Sequence, residues 1–306
     1  MLLIASVVLN LTQLTQYKDY QAGNQAPYER FVDGELAAKD KIAELRIEGV
    51  IMPPYSSHIL QTIERISEDD SVKGVLITID SPGGLVADSH RIYDKLVKLR
   101  EKVPMVVSFG RIAASGGYYA AMGAGPDSPI YAEETSWTGS IGVIIPRYDL
   151  SKLAASFGVQ SDSIKTGPLK DSLDPFQPLT DQERRVWDTI LEESLNRFVG
   201  VIDKGRKELD DAGVRQLATG QVFTSEQALQ LKLIDKIGDR DAALADLQQQ
   251  LGLEQVRVVR YEYPANLVDS LLGSRAEQLE APRDPLSRLL DANVPRAMYL
   301  FGRHTP

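Results

Sequence analysis

Met105-Val-Val-Ser-Phe-Gly110-Arg-Ile-Ala-Ala-Ser115-Gly-Gly-Tyr-Tyr-Ala-Ala121 joins an apolar, β-branched run to a stretch of small and aromatic residues with helix-forming character. It reads as a strand over 103–109 that ends at Gly110, followed by a buried helix over 114–124, with Ser115 where one turns into the other. A serine in that position faces the unpaired N–H groups and the positive dipole end of a helix, which stabilise negative charge developing nearby. Gly116 and Gly117 leave room for a substrate backbone to approach. Ser115 is therefore a candidate nucleophile, although a serine before a helix more commonly serves only as a cap.

The flanking sequence repeats the alternation of strand and helix. Ile42 to Ile51 alternates apolar and polar residues as a strand does, and 57–68 places Ile59, Leu60, Ile63 and Ile66 at helical spacing. Gly74-Val-Leu-Ile-Thr-Ile-Asp80 is a run fit for a buried strand, 86–101 reads as a helix and 141–147 as a further strand. Beyond it, Thr180-Asp-Gln-Glu183 forms a capping-box signature for a helix running to about Lys207, with further helices over 225–231 and 240–251. Val256 to Tyr263 returns a strand to the sheet. The pattern predicts an α/β fold in which helices cover a mostly parallel sheet.

Four segments follow from this reading. Residues 1–16 open with an apolar run to Leu11, shorter than the roughly 20 residues that cross a bilayer, and read as part of a membrane anchor or as a docking segment. Residues 17–41 are polar and read as a linker. Residues 42–263 hold the α/β domain. Residues 264–306 form a proline-punctuated, amphipathic C-terminal extension suited to packing across a surface or against another subunit.

Composition removes several functional classes. A net charge of −9 without a dense basic cluster speaks against nucleic-acid binding. The absence of cysteine removes thiolate catalysis, disulfides and cysteine-based zinc sites. His58 and His90 fall in predicted helices and His304 near the chain end, a spacing that fits neither a metal site nor a Ser-His-Asp triad. No metal or organic cofactor is expected.

Two further stretches bear on Ser115. Asp80-Ser-Pro-Gly-Gly84 follows the buried strand, and its glycines let an N–H turn into the crevice at the strand's carboxyl end. The N–H groups of Gly84 and Gly116 together would make an oxyanion hole, in which one donor is worth about 3 to 4 kcal/mol. With no histidine placed as base, lysine remains, and Ile164-Lys-Thr-Gly-Pro-Leu-Lys-Asp171 offers Lys165 and Lys170. A lysine acts as base near neutral pH only if its pKa falls by about three units from roughly 10.4, which burial can supply. Ser140, in Trp137-Thr-Gly-Ser-Ile-Gly142, is placed to orient the neutral amine.

Asp-Ser-Pro-Gly-Gly, Ala-Ser-Gly-Gly-Tyr-Tyr, Thr-Gly-Ser-Ile-Gly-Val and Lys-Thr-Gly-Pro-Leu-Lys-Asp, in this order between residues 42 and 262, resemble the bacterial signal peptide peptidase family of the SppA type. The resemblance implies a Clp-protease and crotonase-like fold and a serine endopeptidase with a Ser-Lys dyad. Ser115 would be the nucleophile, Lys170 the general base because it precedes Asp, Ser140 its support, and Gly84 and Gly116 the oxyanion donors. It also implies peptide substrates such as released signal peptides. The enzyme would be a homo-oligomer whose Ser115 and Lys170 can meet across subunits, associated with the bacterial cytoplasmic membrane with its catalytic domain on the outer side. Thr219-Gly-Gln-Val-Phe-Thr-Ser-Glu-Gln-Ala228 fits the same family. Lys232, where glycine is expected, and a longer loop over Gly123 to Pro129 depart from it. Two other readings of the residues are a crotonase-like acyl-CoA enzyme and a non-catalytic peptide-binding scaffold.

Overall fold

The computed structural model describes residues 27–263 and 298–300. In chain order, strand β1 (Tyr28–Gly34), strand β2 (Lys41–Ile51), helix α1 (Tyr55–Glu68), strand β3 (Val72–Leu85), helix α2 (Val86–Leu99) and strand β4 (Met105–Ala114) come first. Helix α3 (Gly116–Ala121) follows, with one turn of 3-10 helix over Met122–Ala124, and then the short strands β5 (Ile130–Ala132) and β6 (Trp137–Gly139). Helix α4 (Ser151–Ser156) lies in a long excursion before helix α5 (Asp181–Gly205). Helix α6 (Asp211–Leu217), strand β7 (Val222–Thr224), helix α7 (Ser225–Gln230), strand β8 (Lys236–Ile237), helix α8 (Arg240–Leu251), strand β9 (Arg257–Glu262) and strand β10 (Met298–Leu300) complete it.

All ten strands share one sheet, in the order β1-β9-β2-β3-β4-β5-β8, with β6 joining β4 to β7 and β10 lying against β3. The pairs from β9 to β8 along this path are parallel, so the carboxyl ends of β2, β3 and β4 gather at one edge. Both faces of the sheet are covered. Val75, Ile77 and Ile79 of β3 and Val107 and Phe109 of β4 pack with α1, α2, α3 and α5 on one side. Leu76 and Val106, one residue out of phase, pack with Ala243, Leu244 and Leu247 of α8 on the other. Burial on both faces makes these strands continuous apolar runs, and each buried Ile, Leu or Val contributes about 1.5 to 3 kcal/mol.

The capping box that starts α5 is formed: the Glu183 N–H donates to Thr180 Oγ1 at 3.2 Å, and the Thr180 N–H donates to the Glu183 carboxylate at 2.8 Å. Five readings change, two of them strand ends: β3 and β4 continue to Leu85 and Ala114, past Asp80 and Gly110. The predicted strand over 141–147 has no ladder beyond an isolated bridge of Ile144 with Met298, because Gly142 and Pro146 interrupt it and β6 takes the place beside β4. Strand β1 lies within the stretch read as a linker, paired antiparallel with β9 and exposed along most of its length. The helix over 114–124 begins at Gly116 and tightens to 3-10 geometry at Met122. The anchor segment, 1–16, lies outside the described residues, and among the described ones no helix is long and apolar enough to cross a membrane.

Candidate active site

Strand β3 runs on through Asp80-Ser-Pro-Gly-Gly84 to Leu85, and its last residues stay paired with the end of β2, Gly84 opposite Ile51. The approach is close enough that a Cβ on Gly84 would stand 2.1 Å from the Ile51 carbonyl oxygen, so no other residue fits. Gly116, the first residue of α3, meets the same end of β3. A Cβ there would stand 2.4 Å from Ser89 Oγ and 3.1 Å from the Gly84 nitrogen. The strand end and the helix start thus bring the backbones of Gly84 and Gly116 into close approach, the placement from which an oxyanion hole can be built.

Ser115 lies between β4 and α3 with φ 54° and ψ −116°, a left-handed conformation that a side-chain-bearing residue adopts only under constraint. Its constraints are visible. The Ser115 N–H donates to the Gly139 carbonyl at 2.8 Å, and its own carbonyl accepts from the Tyr119 N–H at 2.8 Å. Ser115 is 1% exposed. Ser140 follows Gly139 on the neighbouring strand, also at positive φ, with its N–H held by the Gln221 carbonyl at 2.7 Å. The structure therefore brings together Ser115, Gly84, Gly116 and Ser140.

Lys170 is exposed, unlike the buried Ser115 and Ser140. It lies in a series of turns within the excursion between β6 and α5, its N–H donating to the Gly167 carbonyl at 3.2 Å. Among the described residues no hydrogen bond joins it to Ser115 or Ser140. Lys165 is committed elsewhere: its amine bonds Asp171 at 2.6 Å, and that bond holds the Asp171 carboxyl below its ordinary range. Among the described residues, the Lys170 amine has no hydrogen-bond or ion-pair partner, unlike that of Lys165.

The sequence matches Peptidase family S49 over residues 97–254, more than half of the chain, and Clp protease over residues 39–136. A protein of Enterococcus faecium named for signal peptide peptidase SppA is 31% identical over 306 aligned positions, covering 93% of this chain and 87% of that one. A Synechocystis protein named as a protease is 36% identical, covering 82% of this chain and 90% of its own length. The chain belongs to peptidase family S49. It is a serine protease with a Clp-protease-like fold, and the acyl-CoA reading gives way. Among solved structures, a membrane-bound stomatin-specific protease aligns over 69% of this chain and 86% of its own, at 19% identity and a TM-score of 0.42.

One feature of this S49 peptidase was not anticipated from the sequence. Strand β10 runs antiparallel to the glycine end of β3, with Tyr299 opposite Gly84, and on its other side Met298 and Ile144 exchange two N–H···O bonds of 3.0 Å. A three-residue strand of the C-terminal extension thus lies between the glycine end of β3 and Ile144. The signal available was Ala297-Met-Tyr-Leu-Phe301, an apolar run between Pro295 and Gly302, too short to indicate its partner. Of the histidines among the described residues, His58 stacks on Tyr263 at 4.2 Å and His90 Nδ1 bonds the Tyr119 hydroxyl at 2.7 Å, and neither is hydrogen-bonded to Ser115.

Proposed function

We propose that this protein is a Ser-Lys endopeptidase that degrades released signal peptides or other short apolar peptides at the outer side of a bacterial cytoplasmic membrane, and that its dyad closes between subunits. The observation that carries this reading is the contrast between a buried, conformationally constrained Ser115 beside the closely approaching backbones of Gly84 and Gly116 and an exposed Lys170 on an arm rich in exposed apolar side chains. Tyr148, Leu153, Phe157 and Ile164 of that arm are all exposed in the single chain. Contiguous apolar surface of this kind marks an interaction site, and a homo-oligomer is the common way to cover it.

In the assembled enzyme, a neighbouring subunit buries Lys170 against Ser115 and Ser140. The lysine amine takes the Ser115 hydroxyl proton as Oγ attacks the peptide carbonyl, and the oxyanion is held by the N–H groups of Gly84 and Gly116. The protonated lysine then gives its proton to the departing amine, and a water hydrolyses the ester by the reverse sequence. Ser140 orients the amine. The Enterococcus relative is named for signal peptides and the Synechocystis relative as a protease, which supports peptide hydrolysis and, from the first, the substrate class.

Two inactive variants test the assignment. Ser115→Ala and Lys170→Ala chains, each purified alone, are expected to hydrolyse no peptide, and Ser115→Ala to lose labelling by a fluorophosphonate. Co-expressed, they are expected to recover about a quarter of wild-type activity, since one interface in four then pairs an intact serine with an intact lysine. A mixture as inactive as its components would place both groups in one chain. Full activity of Lys170→Ala with loss in Lys165→Ala would move the base, and a wild-type oligomer that never labels would favour the non-catalytic scaffold.

A further inference from the structure

The buried face of α2 brings a hydroxyl to the candidate oxyanion site. Ser89, Ile92, Leu96 and Leu99 recur along that face at helical spacing, and Ser89 is fully buried. Side chains of a helix lean toward its N-terminus, so Ser89, one turn into α2, is aimed back over the glycine end of β3. The Cβ that Gly116 lacks would stand 2.4 Å from Ser89 Oγ and 3.1 Å from the Gly84 nitrogen, and it would be two bonds from the Gly116 nitrogen. Three groups that can donate a hydrogen bond, one each from β3, α2 and α3, thus lie around a single point. Gly83, at φ 99°, belongs to the same contact, since its missing Cβ would stand 2.6 Å from the Gly116 nitrogen.

Ser89 differs from other hydroxyls near the strand ends in having nothing to bond. Ser81 donates to the Gly49 carbonyl at 2.6 Å, Thr138 to the Ala113 carbonyl at 2.6 Å and Ser56 to the Asp88 carboxylate at 3.0 Å. Ser89 Oγ has no partner among the described residues, not even the Leu85 carbonyl one turn back that a helical serine can use. Thr78 Oγ1 shares this state but lies midway along β3. A buried hydroxyl without a partner is a cost to the folded chain, and alanine at this position would continue the apolar face without it. An unpaired buried donor beside a candidate catalytic centre is explained by a partner that arrives with the substrate.

We infer that Ser89 is a third oxyanion donor: its hydroxyl donates to the substrate carbonyl oxygen as that oxygen takes on negative charge, beside the N–H groups of Gly84 and Gly116. This rests on the serine-protease reading of Ser115. No proton leaves Ser89. Its O–H bond stays intact, and the hydrogen bond shortens and strengthens as the acceptor becomes an anion. The interaction is therefore worth more in the transition state than with the planar, neutral carbonyl, and its loss falls on kcat rather than on KM. A donor already held by a buried helix needs no rearrangement when the charge appears. Unlike the two backbone donors, this one can be removed by substitution, so its contribution can be measured directly.

The experiment compares full-length wild type, Ser89→Ala and Ser89→Cys, the last of which fills the space with a weak S–H donor. Both variants are expected to lower kcat on a fluorogenic peptide by about a hundredfold while KM stays within about twofold. Affinity for a peptidyl trifluoromethyl ketone, whose adduct with Ser115 carries an oxyanion, is expected to fall by the same factor. The urea midpoint of Ser89→Ala is expected to hold or rise, because the variant removes an unpaired hydroxyl. A kcat within about threefold of wild type, a loss confined to KM, or an unchanged affinity for the ketone overturns the inference and leaves the protease reading standing. Full activity in Ser89→Cys, or a lower midpoint in Ser89→Ala, also overturns it, by showing that the side chain only fills space. If wild type neither hydrolyses peptide nor labels at Ser115 with a fluorophosphonate, the protease reading itself fails and the donor assignment falls with it.

Discussion

The sheet and the excursion between Ile144 and Phe176 solve the same problem in opposite ways. In the sheet, Ile77, Val107 and Phe109 are buried completely, and backbone polar groups are satisfied by the ladder. In the excursion, Phe157 is 78% exposed and Ile164 wholly so. Yet its backbone is tied by local polar bonds: Arg147 donates to the carbonyls of Asp174 and Gln177, the Leu150 N–H to Pro175, and the Ser161 hydroxyl to Asp174. The excursion keeps a shape without hiding its apolar side chains. One region is complete in a single chain, and the other presents a surface that a second chain would cover, with Lys170 on it.

Three measurements would sharpen or break this comparison, and the largest effect belongs to the sheet. Phe109→Ala removes a ring packed edge-on against Tyr118 at 6.1 Å and is expected to cost about 3 to 5 kcal/mol in urea unfolding. A loss under about 1 kcal/mol would show that the core is less tightly determined than its burial indicates.

The second effect is electrostatic. Burial opposes ionisation of Glu44, but hydrogen bonds and charge from Arg240 and Arg260, both at 2.9 Å, hold its carboxyl below the ordinary range. Asp69 is likewise lowered: burial is outweighed by hydrogen bonds from Ser71, Lys41 and Tyr261. Because both folded values lie below the unfolded ones, this stabilisation is fully present above the ordinary carboxylate range and declines as pH falls through and below about 4. Unfolding midpoints measured from pH 6 to pH 3 are expected to drop, and Glu44→Gln to lower stability at pH 6 and flatten the decline. A flat wild-type profile would mean that these pairs contribute nothing.

The smallest effect on stability is expected in the excursion, where Phe157→Ser with Ile164→Ser should change the unfolding free energy of the monomer by no more than about 0.5 kcal/mol. The same pair should shift the sedimentation profile toward smaller species and lower peptide hydrolysis by at least tenfold. Loss of monomer stability comparable to that of Phe109→Ala would erase the distinction between the two regions.

The sequence shows the body and not the excursion for a physical reason. Strands buried on both faces must be apolar throughout, and helices over them must be apolar at every third or fourth residue, so β2, α1 and α2 can be read within about two residues, while β3 and β4 run five residues past the ends read for them, through Asp80-Ser-Pro-Gly-Gly84 and past Gly110. Ser115, Gly84 and Gly116 were legible because a helix start and two forced glycines are local signals. Strand β1 was not, since its charged residues Glu29, Arg30 and Asp33 bury no face and leave no alternation. Ile141-Gly-Val-Ile-Ile145 has the composition of a strand, but among the described residues it forms only a bridge with β10 and a bond from the Gly220 N–H, and β10 itself pairs with the end of β3, more than two hundred positions earlier. No local pattern encodes such a contact. Lys170 belongs to the same class: its residue type and position are legible, and the surface that would bury it is not in the chain's local sequence.

The backbone of Ser115 has a consequence for how the protein changes over generations. At φ 54° glycine is at ease, whereas any residue with a Cβ carries about 1 to 3 kcal/mol of strain. A drift from serine to glycine at this position would therefore make the chain more stable while removing the hydroxyl proposed to attack the substrate. Stability alone cannot hold a serine here, so under that proposal the serine persists only while its chemistry is under selection.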